Sequence, residues 1–243
     1  YLFAGQSNAE QSFMGDVDGD GNLDYVFSGN DNKINVWRGN GNGTFQLSRI
    51  TTAVTGANTY TVSGIWYGET AYLEDVNGDG KADMVTVTEG DGNSIRTWLA
   101  SSGGFFQTAP VLTFNMQTTG GSVFTGSWTN ENSDIVDVNN DGKPDYVHSN
   151  ELDANSDIYV FLGNGNGSFS TTYIRTVVTN PPGTSFQVMG YNTDEYGEWI
   201  DVTSDGIVDY VASHEGLGVN SGIYVYPGIG NGFFQATAIV TNL

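Results

Sequence analysis

Cysteine is absent from the 243 residues, so neither a disulfide nor a thiolate metal site is available. Lys and Arg together number 7 against 28 Asp and Glu, which sets the formal net charge at −21. No basic patch exists, which excludes nucleic-acid binding and makes an anionic membrane surface unattractive. No apolar run approaches the roughly 18 residues of a spanning helix, so membrane insertion is not expected. Helical apolar periodicity never lasts beyond a turn or two. Proline is sparse at 5. With neither an initiator Met nor a leader, the sequence reads as a mature or trimmed product.

What is abundant is glycine, at 34 residues, and aromatics, at 13%. Together with β-branched residues they predict short strands joined by tight turns. The stretch Asp16-Val17-Asp18-Gly19-Asp20-Gly21-Asn22-Leu23-Asp24 puts side-chain oxygens at positions 1, 3, 5 and 9 and a glycine at position 6. Oxygen-only ligation rich in carboxylates suits Ca²⁺, which accepts six to eight oxygens in flexible geometry. Position 7 can add a backbone carbonyl. A helical EF-hand needs a Glu at position 12, and this loop runs instead into Phe27-Ser28, a strand-like run without one.

The loop recurs at Asp75, Asp137 and Asp201, at spacings of 59, 62 and 64 residues. The predicted ligands are Asp16, Asp18, Asp20, Asn22 and Asp24 in the first loop. They are Asp75, Asn77, Asp79, Lys81 and Asp83 in the second, and Asp137, Asn139, Asp141, Lys143 and Asp145 in the third. In the fourth they are Asp201, Thr203, Asp205, Ile207 and Asp209, where the Thr203 hydroxyl makes a weaker site. The position-7 residues Asn22, Lys81, Lys143 and Ile207 count through their carbonyls. Up to four Ca²⁺ are expected, and the 13 loop carboxylates would repel one another without them, coupling folding to metal. Sites of modest affinity suit the millimolar calcium outside cells, so a secreted or cell-surface location is expected.

Each loop is embedded in the same order of strands. A short strand ends in Gly5, Gly64, Gly126 or Gly190, and a Glu follows five residues later at Glu10, Glu69, Glu131 and Glu195. A second strand enters the loop and a third leaves it. A fourth alternates apolar residues, as in Ile158-Tyr159-Val160-Phe161. A glycine-rich turn precedes a last strand opening with Phe45, Phe105-Phe106, Phe169 or Phe233-Phe234. The predicted fold is all-β, a four-bladed β-propeller in a single domain over residues 1–243. Its repeats run approximately 1–59, 60–121, 122–185 and 186–243, about 60 residues each, with four to five antiparallel strands and one calcium loop per blade. Closure is expected from Tyr1–Ala4 pairing with Phe233–Val240; an open array, or part of a larger propeller, is the alternative.

The motif Asp-x-[Asp/Asn]-x-Asp-Gly-x-x-Asp, with Leu-Gly-Asn-Gly-Asn-Gly-Ser-Phe at 162–169, resembles the FG-GAP/VCBS repeat. The family implies calcium-bearing propellers that work outside cells in adhesion, glycan binding or ligand recognition, with some lyases on related propellers. Seven blades are usual there and this chain has four repeats, so no lectin site is carried over.

Other candidates have plainer explanations. Glu10, Glu69, Glu131 and Glu195, with the second set Asn30, Glu89, Glu151 and Glu215, could ring an axis or order their own blades. Gly5-Gln6-Ser7-Asn8 and Asp145-x-x-His148 resemble blocks of an SGNH-type esterase, but the repeat accounts for them and the helices of that fold are missing. Asn42-Gly43-Thr44 and Asn166-Gly167-Ser168 match the glycosylation pattern within equivalent turns. Trp66 and Trp128 could stack on sugars or lie between blades. No catalytic or organic-cofactor residue is assigned. The chain reads as a non-enzymatic recognition or adhesion module for a glycan or an extracellular protein. A structural subunit that self-associates into fibres by strand addition is the alternative, and a polysaccharide lyase-type enzyme is the second.

Overall fold

The computed structural model describes residues 10–29, 31–55, 69–88, 93–116, 131–150, 156–179, 195–214 and 221–243. Among them every element is a strand. The first repeat holds β1 (Glu10–Gly15), β2 (Asp24–Gly29), β3 (Lys33–Trp37) and β4 (Ile50–Ala53). The second holds β5 (Glu69–Glu74), β6 (Asp83–Thr88), β7 (Ser94–Trp98), the short pair β8 (Ala100–Ser101) and β9 (Phe105–Phe106), and β10 (Val111–Thr113). The third holds β11 (Glu131–Val136), β12 (Asp145–Asn150), β13 (Ser156–Phe161) and β14 (Ile174–Val178). The fourth holds β15 (Glu195–Ile200), β16 (Asp209–His214), β17 (Gly222–Tyr226), β18 (Gly228–Gly230), β19 (Phe233–Phe234) and β20 (Ile239–Asn242).

Each repeat forms one four-stranded antiparallel sheet in which the long strands pair in chain order. Registers correspond across repeats: Tyr25 faces Trp37, Met84 faces Trp98, Tyr146 faces Phe161 and Tyr210 faces Tyr226. The strand entered from each acidic loop begins at that loop's ninth residue, Asp24, Asp83, Asp145 or Asp209.

The Gly-ended strands 1–5, 60–64, 122–126 and 186–190, including the proposed closing strand Tyr1–Ala4, lie outside the described residues. The last strand differs from expectation. Phe45, Phe106, Phe169 and Phe234 do not open it; each folds back as a bridge or two-residue hairpin onto Gly39, Ala100, Gly163 or Gly228. The sheet's outer strand starts five residues later, at Ile50, Val111, Ile174 and Ile239. The glycine-rich turn causes this by reversing the chain at once, as the positive φ of Gly41, Gly43, Gly165 and Gly167 allows.

The chain divides into two compact units, Tyr1–Met116 with Asn164–Ser168, and Gln117–Gly163 with Phe169–Leu243. Within each unit one core joins two sheets. In the first, Val26, Ile34 and Val36 pack with Met84, Trp98 and Phe106. In the second, Val147, Ile158 and Val160 pack with Trp199, Tyr210, Tyr226 and Phe234. Alternation along β2, β3, β12 and β13 produces this, because one strand face carries aliphatic residues and the next sheet turns aromatic residues toward it. A polar contact fixes each approach: the Phe106 amide donates to Thr52 Oγ1 (3.1 Å), and the Phe234 amide to Thr176 Oγ1 (3.2 Å).

Candidate metal centre

All four loops adopt one backbone path. Position 6 is left-handed in each, at Gly21, Gly80, Gly142 and Gly206, with φ between 81° and 85°. Position 4 is left-handed too, through Gly19, Gly78, Asn140 and Ser204. The sequence pattern flags the sixth position but not the fourth, because Gly, Asn and Ser share no obvious chemistry. What unites Gly and Asn is tolerance of positive φ.

The first carboxylate gathers the loop around itself. Asp16 accepts from the amides of Gly19 and Gly21, each at 2.8 Å. Asp75 does the same with Gly78 and Gly80, and Asp201 with Ser204 and Gly206. Asp137 accepts from Asp141 and Gly142. The position-3 oxygens of Asp18, Asn77 and Asn139 accept from the position-5 amide at 3.2, 2.8 and 2.9 Å. The position-5 carboxylates of Asp20, Asp79, Asp141 and Asp205 accept from the position-7 amide.

The ninth carboxylate has a second task. Asp24, Asp83, Asp145 and Asp209 are wholly buried. Asp24 accepts from the Val17 amide (3.1 Å) and from the Gly39 amide across the sheet (2.9 Å). Asp145 does so with Val138 and Gly163, and Asp209 with Val202, Thr203 and Gly228. Asp83 accepts from Ala100 at 2.7 Å, while its Oδ2 is buried with no donor in full hydrogen-bonding geometry, the Val76 amide reaching the carboxylate only weakly. Burial pushes Asp83 up to about 7 and Asp145 to about 6, and raises Asp24, against the pull of these amides. A cation beside such a carboxylate reverses that balance.

In the first loop one oxygen each from Asp16, Asp18 and Asp24 lie within 4.8 Å of one another. Two oxygens bound at 2.3–2.6 Å to one Ca²⁺ are at most about 5 Å apart, so the donor set and spacing fit that ion. The other loops carry Asn77, Asn139 or Thr203 at position 3 and offer one carboxylate fewer. The fourth departs further. Thr203 Oγ1 lies 3.5 Å from Asp201 and takes no position-5 amide, and Val202 is 48% exposed where Val17, Val76 and Val138 are buried.

Position 7 contributes more than a carbonyl. Lys81 Nζ lies 2.8 Å from Asp79, which raises the lysine's pKa, and Lys143 Nζ lies 3.3 Å from Asp141. Asn22 Nδ2 donates to Asp20 (2.9 Å), and the apolar Ile207 side chain offers nothing comparable. Sequence reasoning misses Arg38, whose Nε lies 3.0 Å from Asp18 and whose guanidinium donates to the Gly103 carbonyl. The equivalent residues Leu99, Leu162 and Pro227 give no signal that this position matters.

Within each unit the loops are neighbours. The Ala82 amide donates to the Asp16 carbonyl (2.7 Å), and Asn140 Nδ2 to the Gly206 carbonyl (2.6 Å). The repeated Glu residues open β1, β5, β11 and β15, and Glu69 is buried. Asn30, Glu89, Glu151, Glu215, Ser7, Trp66 and Trp128 lie outside the described residues. Asp145 is occupied by the Val138 and Gly163 amides, and His148 is buried against Tyr159. In the turns, Asn42 accepts from Thr44 and Asn166 from Ser168 through both backbone and hydroxyl, so turn geometry accounts for both patterns.

No curated protein sequence matches the chain. Among solved structures, it is similar to the exotype rhamnogalacturonan lyase YesX, at 15% identity and a TM-score of 0.44 over 93% of this chain and 48% of that one. It is also similar to a Bacillus licheniformis rhamnogalacturonan lyase of family PL11, at 14% identity and a TM-score of 0.39 over 93% and 50%. The chain therefore spans about half the length of these structures. The profile of the FG-GAP-like repeat matches residues 16–68 and 75–148, just over half of the sequence and the stretches that hold the first three acidic loops. The chain belongs to the FG-GAP-like repeat family.

Proposed function

We propose that the four sheets are blades of a β-propeller-type array and that the chain is a calcium-organised, non-enzymatic module for recognition or adhesion outside cells. Its ligand is a glycan or an extracellular protein. Asp16, Asp18 and Asp24 would hold the first ion, with Asp20 and the Asn22 carbonyl completing the shell, and the equivalent residues would hold the others. Bound calcium supplies positive charge that neutralises the loop carboxylates and fixes the turns. The protein's own groups do the rest: the first and ninth carboxylates collect backbone amides and tie each loop to its sheet.

The repetition of one cradle in every repeat carries this assignment. Carboxylates spent four times on the same backbone contacts are building material, and equivalent blades would present equivalent weak contacts that add through avidity. The test is binding of the purified chain to arrayed glycans and immobilised extracellular proteins, in calcium and in chelator, with polymer cleavage monitored alongside. Calcium-dependent binding without cleavage is the expected result. Release of unsaturated sugar products would replace it with a lyase.

A further inference from the structure

Inside the first compact unit, the first two loops touch through groups that also serve as ligands. In the proposed calcium shell the Lys81 carbonyl is the position-7 ligand of the second loop, and the same peptide unit carries the Ala82 amide. That amide donates to the Asp16 carbonyl at 2.7 Å. The Asp16–Val17 peptide continues the line, because its Val17 amide donates to the Asp24 carboxylate at 3.1 Å. A trans peptide is planar, with its carbonyl and N–H pointing in opposite directions. Two such planes therefore run without a break from a ligand of the second loop to a ligand of the first. Side chains brace the joint. A Cβ on Gly19 would lie 3.4 Å from Lys81 Cγ, so the lysine stem runs beside the fourth position of the first loop. Arg38 ties Asp18 to the Gly103 carbonyl of the second repeat.

The third and fourth loops lack this line. Position 8 of the third loop is Pro144, which has no N–H to donate. In the fourth loop it is Val208, and among the described residues its amide makes no such bond to Asp137. These two loops meet instead through Asn140 Nδ2 and the Gly206 carbonyl, and neither group belongs to the proposed shell.

We propose that the first and second loops bind calcium cooperatively, each ion raising the affinity for the other through the Lys81–Ala82 and Asp16–Val17 peptides. This rests on the assignment of the loops as calcium sites. A cation on the Lys81 carbonyl polarises its peptide and strengthens the Ala82 N–H as a donor. It also fixes that plane, so Asp16 is already held when the first loop takes its ion, and less ordering entropy remains to be lost. Coupling between binding sites is reciprocal, so occupancy of the first loop favours the second by the same factor. The third and fourth loops do not share this route.

The experiment is a calcium titration of the full chain followed by proton–nitrogen correlation NMR, reading the Gly21 and Gly80 amides. Each donates to the first carboxylate of its own loop at 2.8 Å and so reports that loop's occupancy. In the wild type both resonances should move over one calcium range, more steeply than a single-site curve. Asp79→Asn keeps an acceptor for the Lys81 amide while removing a charge from the second loop. It should raise the calcium midpoint read at Gly21 by about five-fold or more. Asp20→Asn should raise the midpoint read at Gly80 in return. Both cross-effects should vanish in Ala82→Pro, which removes the N–H at a position where the third loop already carries proline. They should persist in Ala82→Gly, which keeps it. A Gly21 midpoint indifferent to D79N, or cross-effects undiminished by A82P, would overturn the coupling and leave the calcium sites standing. Glycine amides that ignore calcium altogether would overturn both.

Discussion

At the scale of single residues, the chain uses one amino acid, aspartate, for two jobs. The first Asp of each loop folds the turn, and the ninth Asp ties that turn to its sheet. Replacing Asp24 with Ala leaves the Val17 and Gly39 amides without their acceptor in a buried place. Hydrogen bonds to a charged partner contribute roughly 1.5–3 kcal/mol each, so a loss of about 3 kcal/mol is expected in denaturant unfolding. A loss below about 1 kcal/mol would show that the carboxylate matters only as a metal ligand. The fourth loop can be improved. Thr203→Asp replaces a hydroxyl with the carboxylate that the first loop places at position 3, and calorimetric titration with calcium should show tighter binding by the fourth loop. Ser204 sits at φ 60°, where a side chain costs roughly 1–2 kcal/mol that glycine avoids, part of it returned as unfolded-state entropy. Ser204→Gly should therefore stabilise by about 0.5 kcal/mol, read as a higher urea midpoint at constant slope.

At the scale of elements, the sheets are specified by alternation, and each sheet-to-sheet joint by one threonine. Thr176 accepts the buried Phe234 amide and Thr52 the Phe106 amide. Thr176→Val keeps the shape and removes the acceptor. Leaving a buried amide unsatisfied costs about 1–3 kcal/mol, a drop that thermal unfolding should report while the circular dichroism stays that of the wild type. Loop chemistry, strand order and the aromatic after each glycine turn are all legible in the sequence, because every one is a local pattern repeated four times. The outer strand is not. Its start depends on how sharply the preceding turn reverses, and the aromatic that looks like the first residue of a strand is, at Phe106 and Phe234, a plug pressed against the previous sheet. Arg38 is equally hidden, since its value lies in reaching Asp18 and the Gly103 carbonyl, 65 residues along the chain.

For the whole molecule, charge is the dominant condition. At a formal −21, with 13 carboxylates packed into four loops, the metal-free chain repels itself. Calcium should raise the melting temperature sharply relative to chelator. A site filled at about 100 times its dissociation constant adds roughly 2.7 kcal/mol. In chelator, added sodium chloride should recover part of the loss by screening the exposed loops, and should do little once calcium is bound. A melting temperature indifferent to both would show that backbone amides alone hold the loops.

By itself, the sequence determines the repeat, the oxygen-rich loops, the all-β class and the family, because each is a short-range pattern of chemistry and spacing. Tertiary structure alone decides which faces of those repeats are used. Phe45 and Phe234 stand in nearly identical local sequences, yet one is exposed and the other buried. No local rule separates them. The difference is whether a preceding sheet stands in the same compact unit to cover the ring, as the third repeat does for Phe234, and only the packed chain supplies that.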